Sequence, residues 1–358
     1  MNVALVGLPL AGKTCLFTAL SQGSVDSIAN PARPDHPNAA MVAVPDERLE
    51  WLCEHYQTKK RTPIQMELLD LPGLNPGRPE LASQNTAIME YLRRADALVC
   101  VLRAFESLRV PGKVDAKAER DALHAEFVLS DLDTTLRRIE KLEKQVTKPV
   151  ADREALKKEL EFLGRCREAL EAEKPLQGVA RTDAERNILR GFASLTEKPL
   201  LTVLNVGEGE AGKPAEAAAG YAGLADPMVA LCASLEAEIA VLPPADRAPF
   251  MSEMGLDRLH APDVILGVYK ALGRITFFTV AEKEVAARSV LRGASAVDAA
   301  GEVHTDMAKG FVRAEVVACE DFKRAGSLKH ARAAGGVRME GRDYVVKDGD
   351  IILFHFTR

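Results

Sequence analysis

Residues 3–14, VALVGLPLAGKT, constrain the fold of this chain more than any other stretch. An apolar run ends in Gly7, and Gly7-Leu8-Pro9-Leu10-Ala11-Gly12-Lys13-Thr14 satisfies every fixed position of G-x-x-x-x-G-K-[ST]. A helix-compatible run, 15–20, follows directly. Strand, glycine loop and helix in that order begin a βα unit whose loop N–H groups wrap a polyphosphate, aided by the positive end of the helix. The expected nucleotide-binding positions are Leu10, Ala11, Gly12, Lys13, Thr14 and Cys15. Gly12 permits close backbone approach, Lys13 reaches the β- and γ-phosphate oxygens, and the Thr14 hydroxyl is a ligand for Mg²⁺. The loop predicts binding of a nucleoside triphosphate.

A chain of 358 residues, 47% hydrophobic and 28% charged, suits a globular protein of two or three domains. Its net charge of −5 excludes a global basic field, so nucleic-acid contact would need a local patch and specific DNA binding is not expected. The six cysteines are scattered, without C-x-x-C or Cys/His spacing suited to a metal. Cys15, at a helix N-terminus beside a lysine, could carry a lowered pKa, though bound phosphate would oppose this, and a partly buried thiol is the simpler reading. No apolar run approaches the ~18 residues of a membrane span, and the N-terminal run lacks a basic leader, so a cytoplasmic protein without membrane contact is expected.

Residues 22–38 are polar and carry Pro31, Pro34 and Pro37, a loop where a γ-phosphate-sensing switch would lie. Residues 39–44 and 64–69 read as strands around a helix over 46–56. The second strand closes on Asp70-Leu71-Pro72-Gly73, which places Asp70 to hold Mg²⁺ through water and the Gly73 N–H to meet a γ-phosphate oxygen. Leu74 follows, where many nucleotide switches place a water-orienting Gln; a leucine can neither donate nor accept. A helix over 86–94 and a buried strand over 97–102 continue the alternation expected of a doubly wound, mostly parallel sheet.

Between 115 and 174 the pattern changes. Leu129, Leu132, Leu136, Ile139 and Leu142, then Leu156, Leu160 and Leu163, step by three and four on either side of Lys148-Pro149, predicting an antiparallel helical hairpin. The strand pattern resumes at 198–204 and runs into Asn205-Val206-Gly207-Glu208. Against an Asn-Lys-x-Asp element that reads guanine, the lysine is Val206 and the aspartate Glu208. The longer carboxylate fits guanine's edge poorly, which brings adenine into play. A further strand over 227–232 precedes Ala233-Ser234. Strands over 275–280, 285–290 and 312–317, a helix over 294–302 and a closing hairpin over 344–356 predict a small half-barrel wrapped on one helix. Lys323, Arg324, Lys329, His330 and Arg332 form the concentrated positive cluster, either a solvated face or a phosphate contact.

GLPLAGKT, DLPGL, LTEKPLLTVLNVGE, LCASLEAEI and the tail segments TFFTVAEKEV, AAGEVHTDMAKGFVRAEVV and EGRDYVVKDGD resemble the Obg-like ATPase (YchF) family over essentially the full length. The resemblance implies an Obg-type domain over 1–112 and 176–274, a coiled-coil hairpin over 113–175, and a ubiquitin-like β-grasp (TGS) domain over 275–358. It also implies ATP preferred over GTP, slow hydrolysis, Mg²⁺, and association with the ribosome or its RNA. Lys13, Thr14, Asp70 and Gly73 match the phosphate and metal elements; Asn205, Val206, Glu208 and Ser234 match the base-recognition elements. The chain also departs from the pattern. Leu10 replaces an Asn of a monovalent-cation site, Pro34 falls where a metal-touching Thr belongs, and most glycines after DLPGL are gone. Tyr91 stands at the counted position of a hydrolysis-aiding His, and Ala287-Arg288-Ser289 replaces Ala-Trp-Thr in the tail. A phenol is a poor general base at neutral pH but can orient water. The expected function is a slow ATPase switch; the alternatives are a non-hydrolysing ATP-binding scaffold on the ribosome and, last, a small-molecule phosphotransferase.

Overall fold

A computed structural model describes residues 1–24, 32–33, 36–110, 113–147, 153–224, 227–281 and 283–357. In chain order, β1 (Asn2–Val6), α1 (Lys13–Leu20), β2 (Asn38–Ala43), α2 (Glu47–Tyr56), β3 (Lys60–Thr62) and β4 (Gln65–Asp70) come first. Then follow α3 (Ala82–Arg94), β5 (Ala97–Ala104), α4 (Ala116–Val146), α5 (Arg153–Glu171) and α6 (Asp183–Phe192). The middle holds β6 (Leu200–Val206), α7 (Pro214–Ala219), β7 (Met228–Leu231), α8 (Ala233–Val241), α9 (Pro244–Glu253) and α10 (Ala261–Ala271). Last come β8 (Arg274–Ala281), β9 (Glu284–Leu291), α11 (Ala296–Val303), α12 (Thr305–Lys309) and β10 (Phe311–Ala318). They are followed by α13 (Cys319–Ala325), α14 (Leu328–Ala333), β11 (Arg338–Glu340) and β12 (Asp350–Phe356).

The chain is α/β and divides into two compact units, one of Met1–Ala40 with Glu67–Val264, the other of Met41–Met66 with Ile265–Arg358. The sheet ordered β2-β4-β1-β5-β6-β7 carries the first unit. β1 runs parallel to both β4 and β5, and β5, β6 and β7 continue the parallel run. Buried on both faces, β1 and β5 read as unbroken apolar strings (VALV, ALVCVL), as central parallel strands do. Leu5 pairs with Asp70, which brings the carboxyl ends of β1 and β4 side by side.

The expected helical hairpin is present as α4 and α5 in the first unit; its break at Lys148-Pro149 lies outside the described residues. Ile139, Leu142, Phe162 and Leu163 form its apolar seam. A buried carboxylate fixes its root. Asp131 of α4 accepts from Leu195 N (3.0 Å), Thr196 N (2.8 Å), Thr196 Oγ1 (2.9 Å) and Arg93 Nη1 (3.0 Å).

The second unit is built on a sheet ordered β11-β10-β12-β8-β9-β3, with Ala296, Ala299 and Ala300 of α11 packed into its core. Two features differ from the sequence reading. Residues 344–349 do not pair with β12 as a closing hairpin. β12 instead lies antiparallel to β10 and parallel to β8, because the Asp350 carboxylate takes the Tyr344 hydroxyl (2.7 Å) and Lys347 N (2.9 Å) and folds the approach into a turn. Met41–Met66 also groups with this unit: β3 pairs parallel with β9, and Arg48 of α2 bonds Asp348 at 2.7 Å.

Candidate nucleotide site

β1 delivers the chain into the glycine loop, and the loop ends as the N-cap of α1. Gly12 sits there at φ 95°, ψ 19°, and a Cβ on it would lie 2.1 Å from Asn205 Nδ2. Only glycine satisfies both the left-handed backbone and the close approach. Leu10, at φ 63°, takes the same left-handed region and stands half-exposed at the loop crest. The Asp-Leu-Pro-Gly turn after β4 packs directly on the loop: Leu74 N donates to Gly7 O (3.1 Å), and a Cβ at Gly73 would fall 2.4 Å from Pro9 N.

Lys13 curls over this loop. Its ammonium donates to Leu8 O (2.9 Å) and Gly7 O (3.3 Å), and burial lowers its pKa to about 8 despite the opposing attraction of Asp70. Thr14 Oγ1 donates to Asp70 Oδ2 at 3.0 Å. Burial raises the Asp70 pKa, with Thr14, Lys13 and the Asn38 side chain pulling it back. Asp70 Oδ1 is buried without a hydrogen bond of normal geometry among the described residues. A buried carboxylate oxygen left open beside a threonine hydroxyl is a hard-oxygen donor set suited to Mg²⁺ and its water shell. Among the described residues no cluster of three His, Cys, Asp or Glu side chains offers another metal site.

These groups open onto a cleft of about 1290 Å³. Gly12, Lys13, Thr14, Cys15 and Gly73 line one part of it, and Asn205, Val206, Glu208 and Ser234 another. Asn205 is buried and fully engaged, donating from Nδ2 to Ala11 O (2.9 Å) and accepting from Ala233 N (2.9 Å). It thereby joins the phosphate loop to the start of α8. The Val206 side chain is buried in the core, whereas Glu208 is exposed and its carboxylate has no partner among the described residues. Ser234 Oγ lies 3.3 Å from Cys232 Sγ. Cys15 is half-buried, and burial together with Cys232, Asp70 and Glu238 raises its pKa, the reverse of an activated thiol.

Tyr91 requires a correction. It does not line the cleft; it packs, half-buried, against the core of the first unit. Helix α3 begins at Ala82, so Tyr91 lies about 14 Å along its axis, at 1.5 Å per residue. Leu74 is fully buried in the same core. Pro34 lies outside the described residues. The loop after β5 went unread in the sequence: Phe105, Glu106, Ser107 and Arg109 line the cleft, as does Tyr221. The positive cluster of the tail is largely self-neutralised, with Lys323 on Glu320, Arg324 on Asp321 and Arg332 on Glu315.

Comparisons with known proteins identify relatives of this chain. A family model, YchF-GTPase_C, described as a protein of unknown function (DUF933), matches residues 274–357. The Ribosome-binding ATPase YchF of Bacillus subtilis (strain 168) is 35% identical over 100% of this chain and 99% of its own length. The protein of the same name from Escherichia coli O157:H7 is 36% identical over 99% and 98%. Obg-like ATPase 1 of Oryza sativa subsp. japonica is 31% identical over 100% and 92%. The Schizosaccharomyces pombe YchF GTPase structure superposes with a TM-score of 0.81 at 25% identity, covering 99% of this chain and 97% of that one. With a shared fold, full-length relatives above 30% identity and a phosphate loop packed on its aspartate turn, the chain belongs to the YchF (Obg-like ATPase) family.

Proposed function

We propose that this protein is a Mg²⁺-dependent ATP-binding switch, preferring ATP over GTP, that hydrolyses ATP slowly and associates with the ribosome in the cytoplasm. One observation carries the reading: Lys13, Thr14, Asp70 and Gly73 converge at the carboxyl ends of β1 and β4, with a carboxylate oxygen held open beside the threonine hydroxyl. Thr14 and Asp70 are the residues that would hold Mg²⁺, which when bound neutralises charge on the β- and γ-phosphates. Lys13 and the loop N–H groups stabilise negative charge developing on the transferred phosphoryl group. The buried Val206 and the unpartnered Glu208 leave no lysine–aspartate pair under a guanine, which supports adenine. The ribosome enters through the relatives, two of which are named as ribosome-binding ATPases. On the same reading, residues 113–175 form a docking arm and 275–358 a TGS domain.

A second reading, a non-hydrolysing ATP-binding scaffold, is favoured by Leu74 in the core and Tyr91 away from the cleft. Binding and single-turnover hydrolysis of ATP and GTP with Mg²⁺, with and without purified ribosomes, separate the two. Ribosome-stimulated phosphate release means a working ATPase. Tight ATP binding without release in either condition means the scaffold, and GTP bound tighter than ATP overturns the base assignment.

A further inference from the structure

We propose that Arg109, on the loop after β5, pairs with the phosphate chain of the bound nucleotide; this rests on the nucleotide reading above. Arg109 and Lys13 are the cations among the residues lining the cleft. They are differently employed. Lys13 is buried and already donates to two loop carbonyls. Arg109 is exposed, and its guanidinium makes no hydrogen bond or ion pair among the described residues. Other arginines of the first unit are held by an acid, as Arg93 is by Asp131 and Arg103 by Glu119.

The loop aims this side chain by its own bonding. Val110 N donates to Ser107 O (3.1 Å) and Arg109 N to Ser107 Oγ (3.3 Å), a serine turn that projects Arg109 from the end of β5. β5 lies beside β1 in the sheet, so the end of β5 opens on the cleft that the phosphate loop borders. The other charged groups lining the cleft are the carboxylates Glu106, Glu208 and Glu210, which would repel a polyphosphate. A guanidinium fork offers paired donors of the geometry that phosphate oxygens accept. Arg109 therefore supplies a second positive contact from the protein to the phosphate chain, beside Lys13.

The test measures dissociation constants for MgATP, in the full-length protein, of wild type, Arg109→Ala, Arg109→Lys and Lys141→Ala. Lys141→Ala makes the same change in net charge on the exposed face of α4, away from the cleft. Loss of one charge-assisted bond predicts MgATP binding weakened about tenfold or more in Arg109→Ala. Arg109→Lys should recover part of that loss, and Arg109→Ala should show a shallower dependence on KCl. Lys141→Ala should match wild type. Arg109→Ala within twofold of wild type, or Lys141→Ala as weak as Arg109→Ala, overturns the inference while leaving the nucleotide reading intact. Wild type that fails to bind MgATP overturns the nucleotide reading, and this inference with it.

Discussion

Lys13→Met should raise the stability of the ligand-free protein while abolishing its response to ATP. A lysine whose pKa falls from 10.5 to about 8 on folding is held charged, at neutral pH, against its surroundings. At 1.36 kcal/mol per pH unit that difference amounts to ~3 kcal/mol. Methionine keeps the length and apolar stem of the side chain without the charge. Its loss orphans neither carbonyl, because Gly7 O still receives Leu74 N and Leu8 O still receives Ala11 N. The charged hydrogen bonds forfeited offset part of the gain, leaving a net stabilisation of about 1–2 kcal/mol. For a unit of this size that raises the melting temperature by roughly 2–8 °C. The pH dependence identifies the cause. Below pH 8 the lysine is protonated both folded and unfolded, so the cost is fully present. Between about 8 and 10.5 only the unfolded chain keeps the proton, and wild-type stability climbs towards that of the variant. Differential scanning fluorimetry at pH 7 and 9.5, with and without MgATP, reads all of this. A ligand-free Lys13→Met that melts below wild type at pH 7, or a difference unchanged at pH 9.5, refutes the assignment of burial as the source of the shift.

The remaining expectations concern binding and the root of the hairpin. MgATP affinity should be flat below pH 8 and fall by up to about tenfold per pH unit above it, as Lys13 loses the proton it needs for phosphate; calorimetric titration from pH 7 to 9.5 measures this. Gly73→Ala drives a Cβ to within 2.4 Å of Pro9 N and displaces the phosphate loop at about 1–3 kcal/mol, so MgATP binding should weaken and the urea midpoint fall. Asp131→Ala leaves Arg93 and the N–H groups of Leu195 and Thr196 without their buried acceptor, at a cost of about 3–5 kcal/mol in urea unfolding. Asn205→Ala should weaken nucleotide binding although Asn205 is spent on protein contacts, because it alone ties Ala11 O to Ala233 N; a dissociation constant equal to wild type would count against that latch.

The parts of the site that were legible in the sequence are those whose chemistry is written in consecutive residues. Gly12-Lys13-Thr14 follows an apolar strand, and Asp70 closes another; because both strands are parallel neighbours, two short motifs separated by more than fifty residues had to meet. Tyr91 fails for the opposite reason. A position counted along the chain from Asp70 carries no information once the intervening residues coil into α3, which turns Tyr91 into the core. The Met41–Met66 segment was illegible in another way: β3 meets β9 through pairs such as Thr62 Oγ1 on Glu284 Oε1 (2.6 Å), more than two hundred residues apart, and nothing local marks a three-residue strand for so distant a neighbour.

The loop after β5 is the instructive omission, since a signal for it existed. In open parallel sheets ligands bind outside the carboxyl ends of the strands. Once β1 was read as the strand feeding the phosphate loop, whichever strand lay beside it had to send its following loop over the same cleft. The unbroken apolar string ALVCVL marks β5 as a central strand, and centrality next to β1 makes Phe105-Glu106-Ser107 and Arg109 cleft residues by topology. No motif announces them, because a loop that contributes one cation needs no fixed spacing. Motif reading therefore finds the backbone cradle, which must be built from glycines, and overlooks side chains that reach the ligand from a neighbouring strand. In this chain the overlooked group is Arg109, an exposed cation in a cleft whose other exposed charges are the carboxylates Glu106, Glu208 and Glu210.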